Sequence, residues 1–151
     1  MRYAISIQRS APRTIAAVRA RLAPGQISRQ FRPYLDEVYA ARSSGLELDG
    51  QNTFVYTFEP NNPGLLDCDF GVGVRAPFAQ VGNVRPVDVP GGEVATTTHV
   101  GPYAGLGGAH DAIQAWCRDQ SRALGGVSWE VYGHWSDTEP PCTDIYYLLR
   151  S

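Results

Sequence analysis

Apolar and polar residues alternate along several short tracts of the chain, and two longer tracts repeat their apolar residues at helical spacing. Tyr3, Ile5 and Ile7 alternate with Ala4, Ser6 and Gln8, as in a half-buried strand. After a turn at Ser10-Ala11-Pro12, residues 13–21 carry Ile15, Val18 and small side chains and predict a second strand, which Pro24-Gly25 breaks. Ile27, Phe31, Tyr34, Leu35 and Val38 then share one face of a helix ending near Ser44-Gly45. Over residues 52–59, Phe54, Tyr56 and Phe58 alternate with Val55, Thr57 and Glu59, and Pro60-Asn61-Asn62-Pro63-Gly64 forms a turn. Residues 65–75 place Leu66, Cys68, Phe70, Val72 and Val74 on one side of a further strand.

The second half repeats this order. Residues 93–100 are rich in Val and Thr and stop at Gly101-Pro102. Leu106, Ala109, Ile113, Trp116 and Cys117 define a second helix face, which Gly125-Gly126 is expected to close. Residues 129–135 read as a strand, 137–141 as a turn and 143–149 as the last strand. Strand–helix–strand–strand therefore occurs twice, over about residues 3–75 and 92–150, with Ala76–Gly91 as the crossover. The expected architecture is one α+β domain over residues 1–151. Its two pseudo-symmetric units form a single antiparallel sheet, with both helices on one face and the opposite face curved into a concave cleft.

Composition narrows the chemistry. The chain has 151 residues, 43% apolar and 19% charged, enough for a core that buries roughly two-thirds of the unfolded surface. All 13 basic residues are arginine, which excludes a P-loop lysine, a Schiff-base lysine and a lysine general base. A net charge of -2 and the lack of a basic stripe argue against a nucleic-acid partner. No apolar run suits a signal segment or a membrane span, so a cytoplasmic protein without a membrane partner is expected. Cys68, Cys117 and Cys142 form no disulfide framework or CxxC spacing. His99, His110 and His134 show no metal-ligand spacing, and no GxSxG elbow or dinucleotide fingerprint is present. No metal or cofactor is therefore expected.

The run His99-Val100-Gly101-Pro102-Tyr103-Ala104-Gly105-Leu106, the helix with Trp116, the tract Trp129-Glu130-Val131-Tyr132 and the closing Thr143-Asp144-Ile145-Tyr146-Tyr147 together resemble the GyrI-like (gyrase-inhibitor-like) small-molecule-binding domain. That domain also forms the effector-binding half of AraC-type and MerR-type multidrug-sensing regulators. The likeness spans essentially the whole chain, including its paired organisation. The family usually carries a Glu in the strand after the second helix and a Tyr two residues later, where Glu130 and Tyr132 stand. In the regulators a DNA-binding module comes first, whereas here the repeat begins almost at Met1, so the resemblance implies the ligand-binding half acting alone. Stand-alone members are similar to ligand-sequestering proteins, to a gyrase-interacting inhibitor, and to hydrolases that open cyclopropane-bearing genotoxins.

Strand parity puts Glu130, Tyr132 and His134 on one side of their strand and Trp129, Val131 and Gly133 on the other. With Val131 taken to lie under the second helix, Glu130 and Tyr132 point into the open cleft. Phe54, Tyr56 and Phe58 join them, and so do Asp144 and Tyr146 if Ile145 and Tyr147 are core. Trp116, Tyr34 and Phe31 are read as helix core. The expected ligand-binding set is Glu130, Tyr132, Tyr56, Phe54 and Tyr146, a carboxylate among aromatic rings that suits an aromatic or cationic small molecule. The alternatives are hydrolysis, with Glu130 activating water and Tyr132 steadying an oxyanion, or docking onto DNA gyrase or a regulator.

Overall fold

The computed structural model describes residues 3–133 and 136–151. The far end of the strand expected to run to Trp135, with His134, lies outside the described residues, as do Met1 and Arg2. The elements are β1 (Ser6–Ser10), β2 (Arg13–Leu22), α1 (Ile27–Ala40), β3 (Leu48–Phe58), β4 (Leu66–Val74), β5 (Arg85–Val89), β6 (Gly92–Val100), α2 (Leu106–Asp119), β7 (Leu124–Tyr132) and β8 (Cys142–Leu149). They form one eight-stranded sheet in the order β1-β6-β8-β7-β3-β4-β2-β5, antiparallel throughout. The strand–helix–strand–strand units are β2-α1-β3-β4 and β6-α2-β7-β8, and they meet at the β3–β7 pair in mid-sheet.

Several boundaries differ from the sequence expectation for local reasons. Pro24-Gly25-Gln26 does not merely end β2; it forms a 3₁₀ turn that opens α1, with the Ala23 N–H donating to Gln26 Oε1 at 2.9 Å. Gly45, at φ 93°, closes the extension of that helix as expected. The second helix ends earlier than Gly125-Gly126: Ser121 turns left-handed at φ 56°, and the Arg122 N–H returns to the Cys117 carbonyl. The two glycines instead begin β7. Tyr3 and Ile5 precede β1 and pack against the core under α2. The crossover contains a strand that the sequence reading did not assign, β5. Its Pro86 is tolerated because β5 is an edge strand.

The two outer strands change places between the units. β1 leads into β2 but pairs with β6, and β5 leads into β6 but pairs with β2. In a flat sheet β1 and β2 would lie six strand spacings apart, roughly 29 Å. Ser10 and Arg13 are joined by Ala11 and Pro12 alone, a reach of at most about 11 Å. The sheet must therefore curl until both links close. The two links pass against each other: a Cβ added at Gly91 would lie 2.5 Å from Pro12 Cδ and 2.8 Å from Pro12 N.

Curling turns one face inward, and that interior is packed except for a recess of about 790 Å³ beside β1, bordered by Thr96, Thr98, Asp144 and Tyr146. Ile15, Ala17, Val55, Val87, Val89, Val94 and Trp129 pack there. Asp69, 1% exposed, is held on the same side by two hydrogen bonds from Arg19, at 3.0 and 2.9 Å, and one from Arg85 at 3.1 Å. Two arginines thus tie together β2, β4 and β5 by the forked geometry that lysine lacks. Both helices lie on the outer, convex side. α1 packs on Ala16, Val18, Phe70 and Val72, chiefly over β2 and β4, and α2 packs on Ala95, Ile145 and Tyr147, over β6 and β8. The central strands β3 and β7 are the floor of a groove between the helices.

The crowded crossing of the links can be tested. Gly91→Ala is expected to lower unfolding free energy by about 1–3 kcal/mol, read as a shift in the denaturant midpoint. Gly64→Ala, where nothing lies within 4 Å of the added Cβ, should leave it nearly unchanged.

Candidate functional site

In an antiparallel pair, residues directly opposite one another share a face. The β3–β7 register sets Phe54 opposite Glu130 and Tyr56 opposite Ser128, and the β7–β8 register sets Glu130 opposite Ile145 and Ser128 opposite Tyr147. Glu130 therefore lies on the side that carries Ile145, Tyr147 and both helices. The expectation that Glu130 faces a cleft on the helix-free side is corrected here, because that side holds the packed interior of the curl and a separate recess bordered by Asp144 and Tyr146. Val131, expected beneath α2, packs in that interior. Glu130, Tyr132, Tyr56 and Phe54 stay together as expected, on the floor between α1 and α2.

Tyr146 does not join them. Trp129 is its register partner, and both point into the interior, their rings stacked with centroids 5.6 Å apart and planes 16° apart. Its place in the site falls to the neighbouring Tyr147, which borders the groove. Phe58 stands 47% exposed at the rim. Phe31, assigned to the core, is only half-buried. It leans on Phe54, 5.5 Å between centroids, and forms part of the α1 wall. Tyr103, from the turn between β6 and α2, faces Tyr132 edge-on at 5.5 Å. His99 braces that turn: its Nε2 donates to the Pro102 carbonyl and its Nδ1 accepts from Tyr3, each at 2.8 Å.

Glu130 is 4% exposed, and three protons point at its carboxylate. The Tyr56 and Tyr132 hydroxyls both donate to Oε1 at 2.7 Å. His110, on α2, places Nε2 at 2.6 Å from Oε2. The other imidazole nitrogen, Nδ1, meets the Tyr147 hydroxyl at 2.6 Å. That hydroxyl accepts from Gln114 Nε2 at 3.0 Å and is bonded to Ser128 as well. A proton assignment that leaves each donor with an acceptor runs Gln114 to Tyr147, Tyr147 to His110 Nδ1, and His110 Nε2 to Glu130. The carboxylate then receives three hydrogen bonds, two from phenols and one from an imidazole. Burying a carboxylate costs several kcal/mol, and each hydrogen bond to a charged group returns about 1.5–3 kcal/mol.

The phenols are held as donors. Burial, with the Glu130 charge beside them, pushes the Tyr56 and Tyr132 hydroxyls well above the ordinary tyrosine range. Burial also raises Tyr147, against the lowering effect of Gln114 and Ser128. The Cys68 thiol, next to Tyr56 across the strand pair, is pushed up to about 12 by burial and is no ready nucleophile. Among the described residues no three His, Cys, Asp or Glu side chains converge as metal ligands would, and no helix is long and apolar enough to cross a membrane.

The groove encloses about 1300 Å³, larger than many single-ligand sites. Aromatic rings line it, the carboxylate lies on its floor, and Arg32, Asp111 and Arg150 are exposed along its borders. The sequence reading missed His110, Gln114 and Tyr147. The signal for the first two was their four-residue spacing along the flank of α2's apolar stripe.

A family model for the GyrI-like small molecule binding domain matches residues 3–150. No curated protein sequence matches the chain. Among solved structures, the EcmrR C-terminal domain superposes with a TM-score of 0.79 at 18% identity, covering 100% of this chain and 99% of that one. The chain spans 58% of the EcmrR chain solved in its DNA complex. SAV2435, solved bound to tetraphenylphosphonium, gives a TM-score of 0.72 at 12% identity, covering 100% and 95%. A hydrolase from Listeria innocua gives 0.62 at 11%, covering 97% and 91%. At these identities the structures share the fold.

The raised phenols set the sign of an alkaline effect. A tyrosine whose folded pKa lies above its unfolded value keeps its full contribution below about pH 10, where unfolded tyrosine titrates, and loses it as pH rises further. The phenols should therefore cost nothing from pH 8 to 9, where only the raised thiols, Cys68 among them, begin to lower unfolding free energy. Above pH 10 it should fall by roughly 1.4 kcal/mol per pH unit for each such group. Denaturant melts of the wild type and of Tyr56→Phe measure this, and the variant should show the shallower alkaline slope.

Proposed function

The chain belongs to the GyrI-like small molecule binding family, and we propose that its groove between α1 and α2 takes a hydrophobic aromatic cation, with Glu130 as counter-charge and Phe54, Tyr56 and Tyr132 as floor. One observation carries this reading: a carboxylate 4% exposed, held by two phenols and an imidazole on the floor of an aromatic-lined groove. A buried carboxylate facing an open groove favours a positive partner, and a bound cation supplies that charge. Ring faces around it add roughly 0.5–2 kcal/mol each of cation–π attraction once desolvated. Phe31 and Tyr103 extend the aromatic surface up the walls, which suits ligands of varied outline more than one fixed shape. The tetraphenylphosphonium bound to SAV2435 supports the same class of ligand for a protein of this fold.

Fluorescence titration with planar cationic dyes tests the proposal. Wild-type protein should bind in the micromolar range, and Glu130→Gln should weaken binding at least tenfold, about 1.4 kcal/mol. Equal binding by the variant would overturn the role of the charge. Failure of both proteins to bind would turn attention to a protein partner, DNA gyrase among them.

Hydrolysis is the second reading, favoured by the direct contact between Glu130 and an imidazole and by the hydrolase of the same fold. Oε1 already accepts two hydrogen bonds and Oε2 one, so a water for attack would depend on the one acceptor direction left on Oε2. Tyr132 has committed its proton to Oε1, which removes it as an oxyanion donor in this arrangement. Single-turnover decay of a cyclopropane-bearing electrophile should then proceed at the same rate with and without the protein; acceleration would restore the enzyme.

A further inference from the structure

An ionised carboxylate offers about four acceptor directions on its two oxygens. At Glu130 three are taken, by Tyr56 and Tyr132 on Oε1 and by His110 on Oε2. The tyrosines belong to the sheet floor, one on each central strand. His110 comes from α2, and its ring is fixed from behind by Tyr147 and Gln114. It is the partner whose removal would open an oxygen to the groove while leaving the floor in place.

The consequence concerns which cations the groove accepts. A cation without N–H groups, such as a phosphonium, a quaternary ammonium or an N-alkylated aromatic ring, needs only the charge and the rings. A primary ammonium or an amidinium brings two or more N–H donors, and the carboxylate has one acceptor direction left for them. Each buried donor left over carries its full desolvation penalty. The other carboxylate along the groove, Asp111, is exposed to solvent and offers a weaker, hydrated contact. Resting on the cation-binding reading of the groove, we propose that His110 is a selectivity residue: by occupying Oε2 it makes the site prefer donor-free cations over cations rich in N–H groups.

The test uses two fluorescent probes that differ only in N-methylation, dansylamidoethyl-trimethylammonium and dansylamidoethyl-ammonium, titrated into the full chain. The wild type should favour the trimethylammonium probe by about tenfold or more. His110→Leu vacates Oε2 and should bring that ratio close to one, chiefly by tighter binding of the ammonium probe. His110→Gln, whose amide nitrogen can replace imidazole Nε2 as the donor, should keep the wild-type ratio, which a merely structural role for the ring would not predict. Should His110→Leu fail to fold by circular dichroism, His110→Asn reads the same ratio, because its shorter amide falls short of Oε2. A ratio unchanged in the vacating variant, or absent in the wild type, overturns the proposal. If the trimethylammonium probe does not bind the wild type at all, the cation-binding reading falls and the selectivity with it. If the probe binds and weakens in Glu130→Gln while the ratio ignores His110, the selectivity alone falls.

Discussion

Ala11-Pro12 and Pro90-Gly91 are two-residue links between strands that stand six places apart in the sheet, and much of the architecture follows from that mismatch of lengths. The chain cannot satisfy both links with a flat sheet, so the sheet curls, and curling decides the use of each face. The inner face gains Trp129, Val55, Ile15 and the arginine-clamped Asp69. The outer face receives two helices that cover its flanks and leave its midline open. The groove is thus what remains when a curved sheet is covered by two helices rather than three. Its floor is the seam between the two halves.

The seam also explains why a buried charge can be held there. Tyr56 arrives from one half, Tyr132 from the other, and His110 from the helix above, so the carboxylate is supported from three independently positioned pieces of backbone. The support is polar and meets the geometric needs of the anion. A ligand's positive charge contributes most beside an anion held in such a weakly polarisable surrounding. Tyr147, Gln114 and Ser128 line the groove beside His110, and through Tyr147 they orient the imidazole.

Much of this was legible in the sequence. The alternation within residues 52–59 and 129–132 correctly grouped Phe54 with Tyr56 and Glu130 with Tyr132, because parity inside a strand is a local property. Which side of the sheet each group faced was a different matter. Trp129 and Val131 look like core residues and are core residues, but of the curled interior, not of the helix layer. With apolar side chains buried on both faces, periodicity alone carries no label for the faces, and the assignment of Tyr146 and Tyr147 inverted with it. β5 escaped because Pro86 argues against a strand unless it is known to be an edge. His110 was weighed only as a metal ligand, since its carboxylate partner lies twenty residues away on a strand whose register no local pattern reveals.

The exchange of outer strands bears on the order in which a growing chain can settle. β2 acquires its outer neighbour when β5 is made, so the first half is complete near residue 89. β1, which precedes the other described strands, pairs only with β6, and β6 is anchored in turn by β8, the last of them. During synthesis β1 therefore waits longest for its partner. Their pairing spans the greatest sequence separation of the described strand pairs, and its entropic cost is recovered late. The short, polar makeup of β1, Ser-Ile-Gln-Arg-Ser, is well suited to such a wait, since a strand so hydrophilic offers little for another nascent chain to adhere to.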